Sequence, residues 1–351
     1  MKHTKTVIAI AIASLLAGCG GSDSDSDNNT PDPTTGTFSL GVSDNPADAD
    51  VVNIAFKQVV LKNSDGAISF DVSEDGELKH VDLLTVQGQE VETLVTGQSV
   101  PLGEYQMCIY MQKSETANPD SSYVETASGI AGLTTNSNGS CGGEGAEDED
   151  TGRLFFNKSF TIAAGTNTFV AEFNLAKGLQ APHGNKDYWT LKPTSVQLVN
   201  RSEVGAITGQ ISPETTASCQ SAAVELGLPD EYSPAVYLYP TTTALTDMAD
   251  FRGEDVPYLL TEVAPITSAR VNELTNDSEE VIGHEYEFGF VVAGDYSLGY
   301  TCVAQNDDPE AANTPDDETD AFFIHLDEQD VTITEGGTTE RHFPETFVPT
   351  P

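Results

Sequence analysis

The chain has 351 residues, with 56 Asp+Glu against 15 Lys+Arg and a formal net charge of −41. Such a charge excludes nucleic acid and anionic membrane surfaces as natural partners, while 38% hydrophobic residues are enough for well-formed cores. The length suits two domains of ordinary size.

Lys2 and Lys5 precede a short apolar run, Val7 to Leu16, that ends in Leu16-Ala17-Gly18-Cys19. That run is about half as long as a membrane-spanning helix needs to be, so residues 1–18 read as a lipoprotein signal peptide. The mature chain is expected to begin at Cys19, with a thioether-linked lipid on its sulfur and an acyl chain such as palmitate on its amine, and several chains together make a lasting membrane anchor. Residues 19–36 are almost entirely Gly, Ser, Asp, Asn, Pro and Thr, which predicts a disordered acidic tether.

From Phe38 onward, short alternating apolar runs broken by turns predict an all-β chain of two tandem β-sandwiches, at 37–200 and 205–345. Strands are expected at Val51–Leu61, Ile68–Val72 and around Tyr105–Met111, with Tyr105, Met107, Ile109 and Met111 on the core face and Cys108 on the other. Phe155–Ile162 and Asn167–Asn174 flank Ala164-Gly165-Thr166 as a hairpin, and Trp189–Val199 closes the first sandwich. The second has strands at Ala235–Tyr239, Tyr286–Val292 and Tyr296–Cys302 and a short helix at Thr216–Leu226. An internal echo links the halves: Gly103-Glu104-Tyr105 with Gly294-Asp295-Tyr296, and Thr161-Ile162 before Gly165 with Thr332-Ile333 before Gly336.

With Cys19 taken by lipid, Cys108, Cys141, Cys219 and Cys302 form an even set, and an exported chain of this kind predicts two disulfides. Of the three pairings, Cys108–Cys141 and Cys219–Cys302 keep each bridge inside one predicted domain. The first is expected to pin the acid-rich excursion Lys113–Gly152 to the outer face of its sheet, the second to staple a core.

No catalytic motif is present. Gly-x-Ser-x-Gly and Ser-x-x-Lys are missing, as are nucleotide-binding glycine patterns, and the histidines show no zinc-ligand spacing. Calcium is the cofactor the acids suggest. Asp71-Val-Ser-Glu-Asp75-Gly76, with Asp82 at the twelfth position, repeats the opening of an EF-hand loop, although a β-turn needs the same residues. Asp44, Asp48 and Asp50 form a compact group after the first strand, and Asp148 and Asp150 lie in the acidic run near Cys141. Trp189, the single tryptophan, reads as a core residue or as a stacking platform for a sugar or peptide.

Ser43-Asp44-Asn45-Pro46-Ala47-Asp48, Val81-Asp82-Leu83-Leu84, Pro101-Leu-Gly-Glu-Tyr105 and Leu191-Lys192-Pro193, in that order and spacing, resemble a family of bacterial lipoproteins carrying domain of unknown function 4382, over Thr37 to about Asn200. That family usually has a basic residue in the strand after its Gly-x-Tyr, where this chain has Cys108-Ile109-Tyr110. From Gly205 to about Phe343 the chain is similar to transthyretin-like or carboxypeptidase-regulatory-like sandwiches, through Gly205-Ala-Ile-Thr-Gly-Gln-Ile211 and Phe290-Val-Val-Ala-Gly-Asp-Tyr296. Such modules act as spacers or binding platforms.

These readings lead to a non-catalytic binding or display protein of the cell envelope. It is anchored by lipid in the outer membrane, facing either the periplasm or the cell surface, with Gly20 after the lipidated Cys favouring that membrane. Its partner is expected to be a protein or a glycan. A carbohydrate-active enzyme or accessory module is one alternative, and a self-assembling surface fibre is the other.

Overall fold

The computed structural model describes residues 34–45, 49–73, 76–144, 149–156, 158–253, 256–275, 281–309 and 321–349. Cys19, the signal and most of the tether lie outside these, as do Asp48, Asp75 and Asp148. The fold is all-β. Thr34–Pro351 makes one compact unit, in which the described strands between Thr35 and Asn200 form a four-stranded and a ten-stranded sheet, and those between Val204 and Glu340 a seven-stranded one.

Alternation along the strands builds the first core. Phe38, Leu40 and Val42 of the Thr35–Asn45 strand point inward and are fully buried, as are Met107, Ile109 and Met111 of the Gly103–Gln112 strand, and one cluster joins them. This is the pattern of two sheets packed face to face, and each such side chain removed from water contributes about 1.5–3 kcal/mol. Cys108 and Tyr110 lie on the opposite face, as their parity requires. There they form a separate small cluster with Val60 and Cys141.

The expected hairpin at Ala164-Gly165-Thr166 and its echo before Gly336 take a different course. Phe155–Ile162 is split into Thr151–Phe155 and Phe160–Ile162, both paired with Gly103–Gln112. The next strand, Gly165–Asn174, crosses to the other sheet and runs parallel to Thr35–Asn45. Gly165 makes this corner at φ +96°, and the Asn167 side chain holds it by accepting from the Ala163 amide (2.9 Å) and donating to the Ala163 and Thr37 carbonyls (2.8 and 3.1 Å). Likewise, Leu326–Ile333 pairs with Gly294–Thr301, whereas Thr338–Glu340 runs parallel to Val204–Ile211. The predicted closing strand also divides, because Pro193 brings no amide hydrogen. Trp189–Leu191 stays in the ten-stranded sheet, a 3-10 turn spans Pro193–Ser195, and Val196–Asn200 joins the four-stranded sheet.

The sequence echo is a shared strand plan with matching register. Gly103, Glu104 and Tyr105 face Ile162, Thr161 and Phe160; Gly294, Asp295 and Tyr296 face Ile333, Thr332 and Val331. The opening strand of each half pairs antiparallel with the strand entering its Gly-acid-Tyr motif, Gly36 opposite Val100 and Gly205 opposite Val291. Both tyrosine hydroxyls donate to the carbonyl four residues upstream, Tyr105 to Pro101 at 3.0 Å and Tyr296 to Val292 at 2.7 Å, as in the tyrosine corner of other sandwiches. Gly36 and Gly205 also share a reason for being glycine: a Cβ would lie 2.1 Å from the Ala163 carbonyl oxygen in one and 2.4 Å from that of Thr334 in the other.

The helix of the second half, Pro213–Glu225, starts three residues earlier than the apolar pattern suggests. Ser212 caps it through Thr215 N, and Pro213 suits its first turn. Among the described residues no strand of one half pairs with a strand of the other. The halves meet through side chains, with Val170, Val199, Val204 and Phe290 in one cluster and Gln89 Nε2 donating to Glu287 Oε1 at 2.7 Å, and through backbone at Gly289, where a Cβ would lie 1.7 Å from the Gly88 carbonyl oxygen.

Candidate functional site

Of the described acids of the calcium reading, Asp71 and Asp82 are engaged in local hydrogen bonds. Asp71 accepts from the Ser73 amide (2.9 Å) and hydroxyl (2.7 Å), which holds its pKa below the usual carboxylate range. Asp82 accepts from the Val52 and Leu84 amides at 3.1 and 3.2 Å and so caps a 3-10 turn. Of the EF-hand-like run, Asp71 ends a strand, Gly76 sits at φ +85°, and Asp75 lies outside the described residues. Asp44 and Asp50 part company, since Asp50 is exposed and Asp44 is turned inward, 2% exposed. Burial raises the Asp44 pKa well above the usual range, Glu172 adds to the rise and Arg270 opposes it. Asp150 is exposed, and its carbonyl accepts from Lys113 N. Among the described residues no three His, Cys, Asp or Glu side chains gather as metal ligands.

Both expected disulfides are formed, Cys108–Cys141 and Cys219–Cys302. The first fixes its excursion to the outer face of the sheet, where the Tyr110 hydroxyl donates to Gly139 O (2.8 Å) and Arg153 Nη1 to Ser140 O (2.8 Å). The second lies in the core of the second half with Leu298 and Tyr300.

A cleft of about 500 Å³ lies between the halves. Leu175, Lys177, His183 and Trp189 line one side; Tyr237, Ser268, Arg270, Asp307 and Asp308 line the other. Trp189 is half-buried, packed against the first core and also lining the cleft. The far wall is stiffened by buried polar contacts. Tyr237 Oη donates to Asp307 Oδ2 at 2.7 Å and the Phe251 amide to Oδ1 at 3.0 Å. Burial, with Asp250 nearby, pushes the Asp307 pKa up to about 8, against the pull of those two donors. Behind this wall Arg252 binds Asp250 Oδ1 (2.7 Å) and both oxygens of Glu262 (2.7 and 3.0 Å), and it stacks over the Tyr258 ring at 4.8 Å.

Sequence reading singles out Trp189, takes Asp307 and Asp308 only as members of an acidic cluster after Cys302, and misses Tyr237, Asp250 and Arg252. Alternation marks Tyr237 only as a strand residue, and Asp307 was one acid among many. A hydroxyl–imidazole contact, Ser218 Oγ to His325 Nε2 at 2.7 Å, was also missed because 107 residues separate the pair. The Ser218 hydroxyl lies 3.0 Å from the Thr215 carbonyl as well, so it serves to tie the helix to the segment before Leu326.

Residues 35–193 match the family model for the domain of unknown function DUF4382, the stretch over which the motifs above resemble it. No curated protein matches the chain. Among solved structures, it is similar to the Bacillus anthracis TIE protein, at 10% identity and a TM-score of 0.16, over 88% of this chain and 33% of that one. This chain thus spans about a third of that protein's length. It is also similar to candidate cell adhesion proteins of Bacteroides fragilis (10% identity, TM-score 0.19, 94% of this chain and 87% of that one) and Parabacteroides distasonis (12%, 0.18, 88% and 92%). At such identities and TM-scores no residue role is carried over from them.

Proposed function

We propose that this chain is a lipid-anchored protein of the outer membrane that binds a glycan or protein partner without turning it over, and that the cleft between its halves is where it does so. The observation that carries this reading is the cleft itself: a preformed concavity with an aromatic platform, Trp189, hydroxyl and charged groups around it, and a wall stiffened by Tyr237–Asp307. Turnover of a glycoside needs two carboxylates facing each other across the bond. Asp307 and Asp308 instead follow one another on the same wall, and both oxygens of Asp307 already accept hydrogen bonds. The anchor at Cys19 is supported by the lipoprotein signal ahead of it, and the second half acts in this reading as the platform that completes the cleft.

Trp189 provides the test. Titrating the soluble chain with peptidoglycan fragments, neutral oligosaccharides and peptides should give a saturable change in its emission for one class. Calorimetry on Trp189→Ala should show the same ligand bound at least tenfold more weakly. Chromatographic appearance of cleavage products would sink the non-catalytic reading. Binding undiminished in Trp189→Ala would move the site out of the cleft.

A further inference from the structure

The excursion between Ala235–Pro240 and Thr267–Thr275 presents two consecutive leucines to water: Leu259 is 69% exposed and Leu260 fully exposed. Leu245 and Ile266 of the same excursion are also exposed. The Leu259–Glu262 turn is a built one. The Leu259 amide donates to Glu262 Oε2 (2.6 Å) and the Glu262 amide to Leu259 O (3.1 Å), while Arg252, buried beneath, grips Glu262 with both terminal nitrogens and donates to Pro257 O at 3.3 Å. The Tyr258 hydroxyl closes the base, donating to Asp250 O at 3.0 Å. An Arg252–Asp250 pair taken out of water, with Glu262 at its rim, is a costly way to stabilise a fold, so its use is to hold a shape, here an apolar prong.

We infer that the Leu259–Leu260 turn inserts into the outer part of a lipid bilayer and docks the body onto the membrane that carries its own anchor. This rests on the lipid-anchored reading proposed above. About fifteen residues separate Cys19 from Thr34 and reach about 50 Å at full stretch, so the body stays within range of that bilayer. Two leucines are too small a patch for a stable protein interface, which needs about 800 Å² per partner. A tethered body needs far less, because the anchor already holds it near the surface, and burying both leucines shifts the docked-to-free ratio by about a hundredfold or more. Arg252, the one basic residue of the excursion, is committed to acids, so entry is apolar and suits zwitterionic lipid rather than an anionic surface.

The experiment uses the full lipidated chain in phosphatidylcholine vesicles. With the Cys19 sulfur in thioether linkage to lipid and four cysteines in disulfides, Leu260→Cys introduces a single free thiol for an environment-sensitive dye, and Ser128→Cys in the first half serves as control. The Leu260→Cys label should shift to the blue and be quenched by nitroxide-bearing lipid at least twofold more than the control, and adding Leu259→Glu should return it towards the aqueous value. Equal quenching at both positions overturns the inference while leaving the anchor intact. A blue shift that persists without vesicles, or that survives Leu259→Glu, overturns it too, in favour of self-association or of the dye alone. Mass spectrometry showing Cys19 without lipid would overturn both the anchor and the docking.

Discussion

The two halves are built on one strand plan and use it differently. Each opens with a glycine-bearing strand, passes a tyrosine corner, and after a Thr-Ile corner runs parallel to its first strand, crossing to the other sheet in the first half and to the far edge of the same sheet in the second. Yet the first half places its disulfide outside the sandwich, where it clamps an excursion, and the second places it inside, where it joins the helix to the strand after Tyr300. The shared parts are those where backbone meets backbone, and the parts that differ are side chains and loops. A β-frame tolerates change where nothing but side-chain volume is at stake and resists it where two backbones touch.

The largest effects should come from those touching backbones. Gly36→Val and Gly205→Val each drive a side chain into a carbonyl oxygen, and each is expected to cost about 3 kcal/mol or more in urea melts. If one is tolerated and the other is not, the equivalence of the halves fails at its centre. The disulfides should separate the halves. Replacing Cys219 and Cys302 by Ala should cost about 3–5 kcal/mol, and replacing Cys108 and Cys141 should cost less, because the clamp closes 33 residues against 83 and lies outside the main core. Equal losses would erase the distinction between staple and clamp.

Asp307 provides a test with a direction in pH. Its folded pKa, raised to about 8, lies above that of the unfolded chain. The stability tied to its protonated form is therefore complete at acid pH, declines from about pH 4 to about pH 8, and is level beyond. Asp307→Asn should remove this decline, with an advantage over the parent that grows steadily across the window. Melts at pH 4, 6 and 8 would show it, and a constant offset between the two proteins would refute it. The smallest effects are at the tyrosine corners. Tyr105→Phe and Tyr296→Phe should each lose about 1 kcal/mol, Tyr105 somewhat more because it is the better buried. No loss at Tyr296 would mean that the second corner is ornamental.

Much of this was legible in the chain. Alternation at Tyr105–Met111 placed Cys108 on the outer face, and the same parity placed Cys302 inward, because successive side chains of a strand point to opposite sides whatever surrounds it. Parity and turn chemistry are local, so one sequence determines them: the β class, the strand faces and the echo between the halves, while the disulfide partners followed only from keeping each bridge within one half. Sheet membership is not local. Whether the strand after Gly165 folds back as a hairpin or crosses to the other sheet depends on which edge is free to pair, and nothing in Ala163–Asn167 records that. The same holds for the acids. Asp71 and Asp44 read alike in sequence, but one caps an exposed turn and the other is buried beside Glu172 and Arg270. The cleft, the Tyr237–Asp307 wall and the Arg252 grip beneath Leu259 were decided by the tertiary structure alone, because each joins side chains whose meeting depends on how whole sheets and excursions pack.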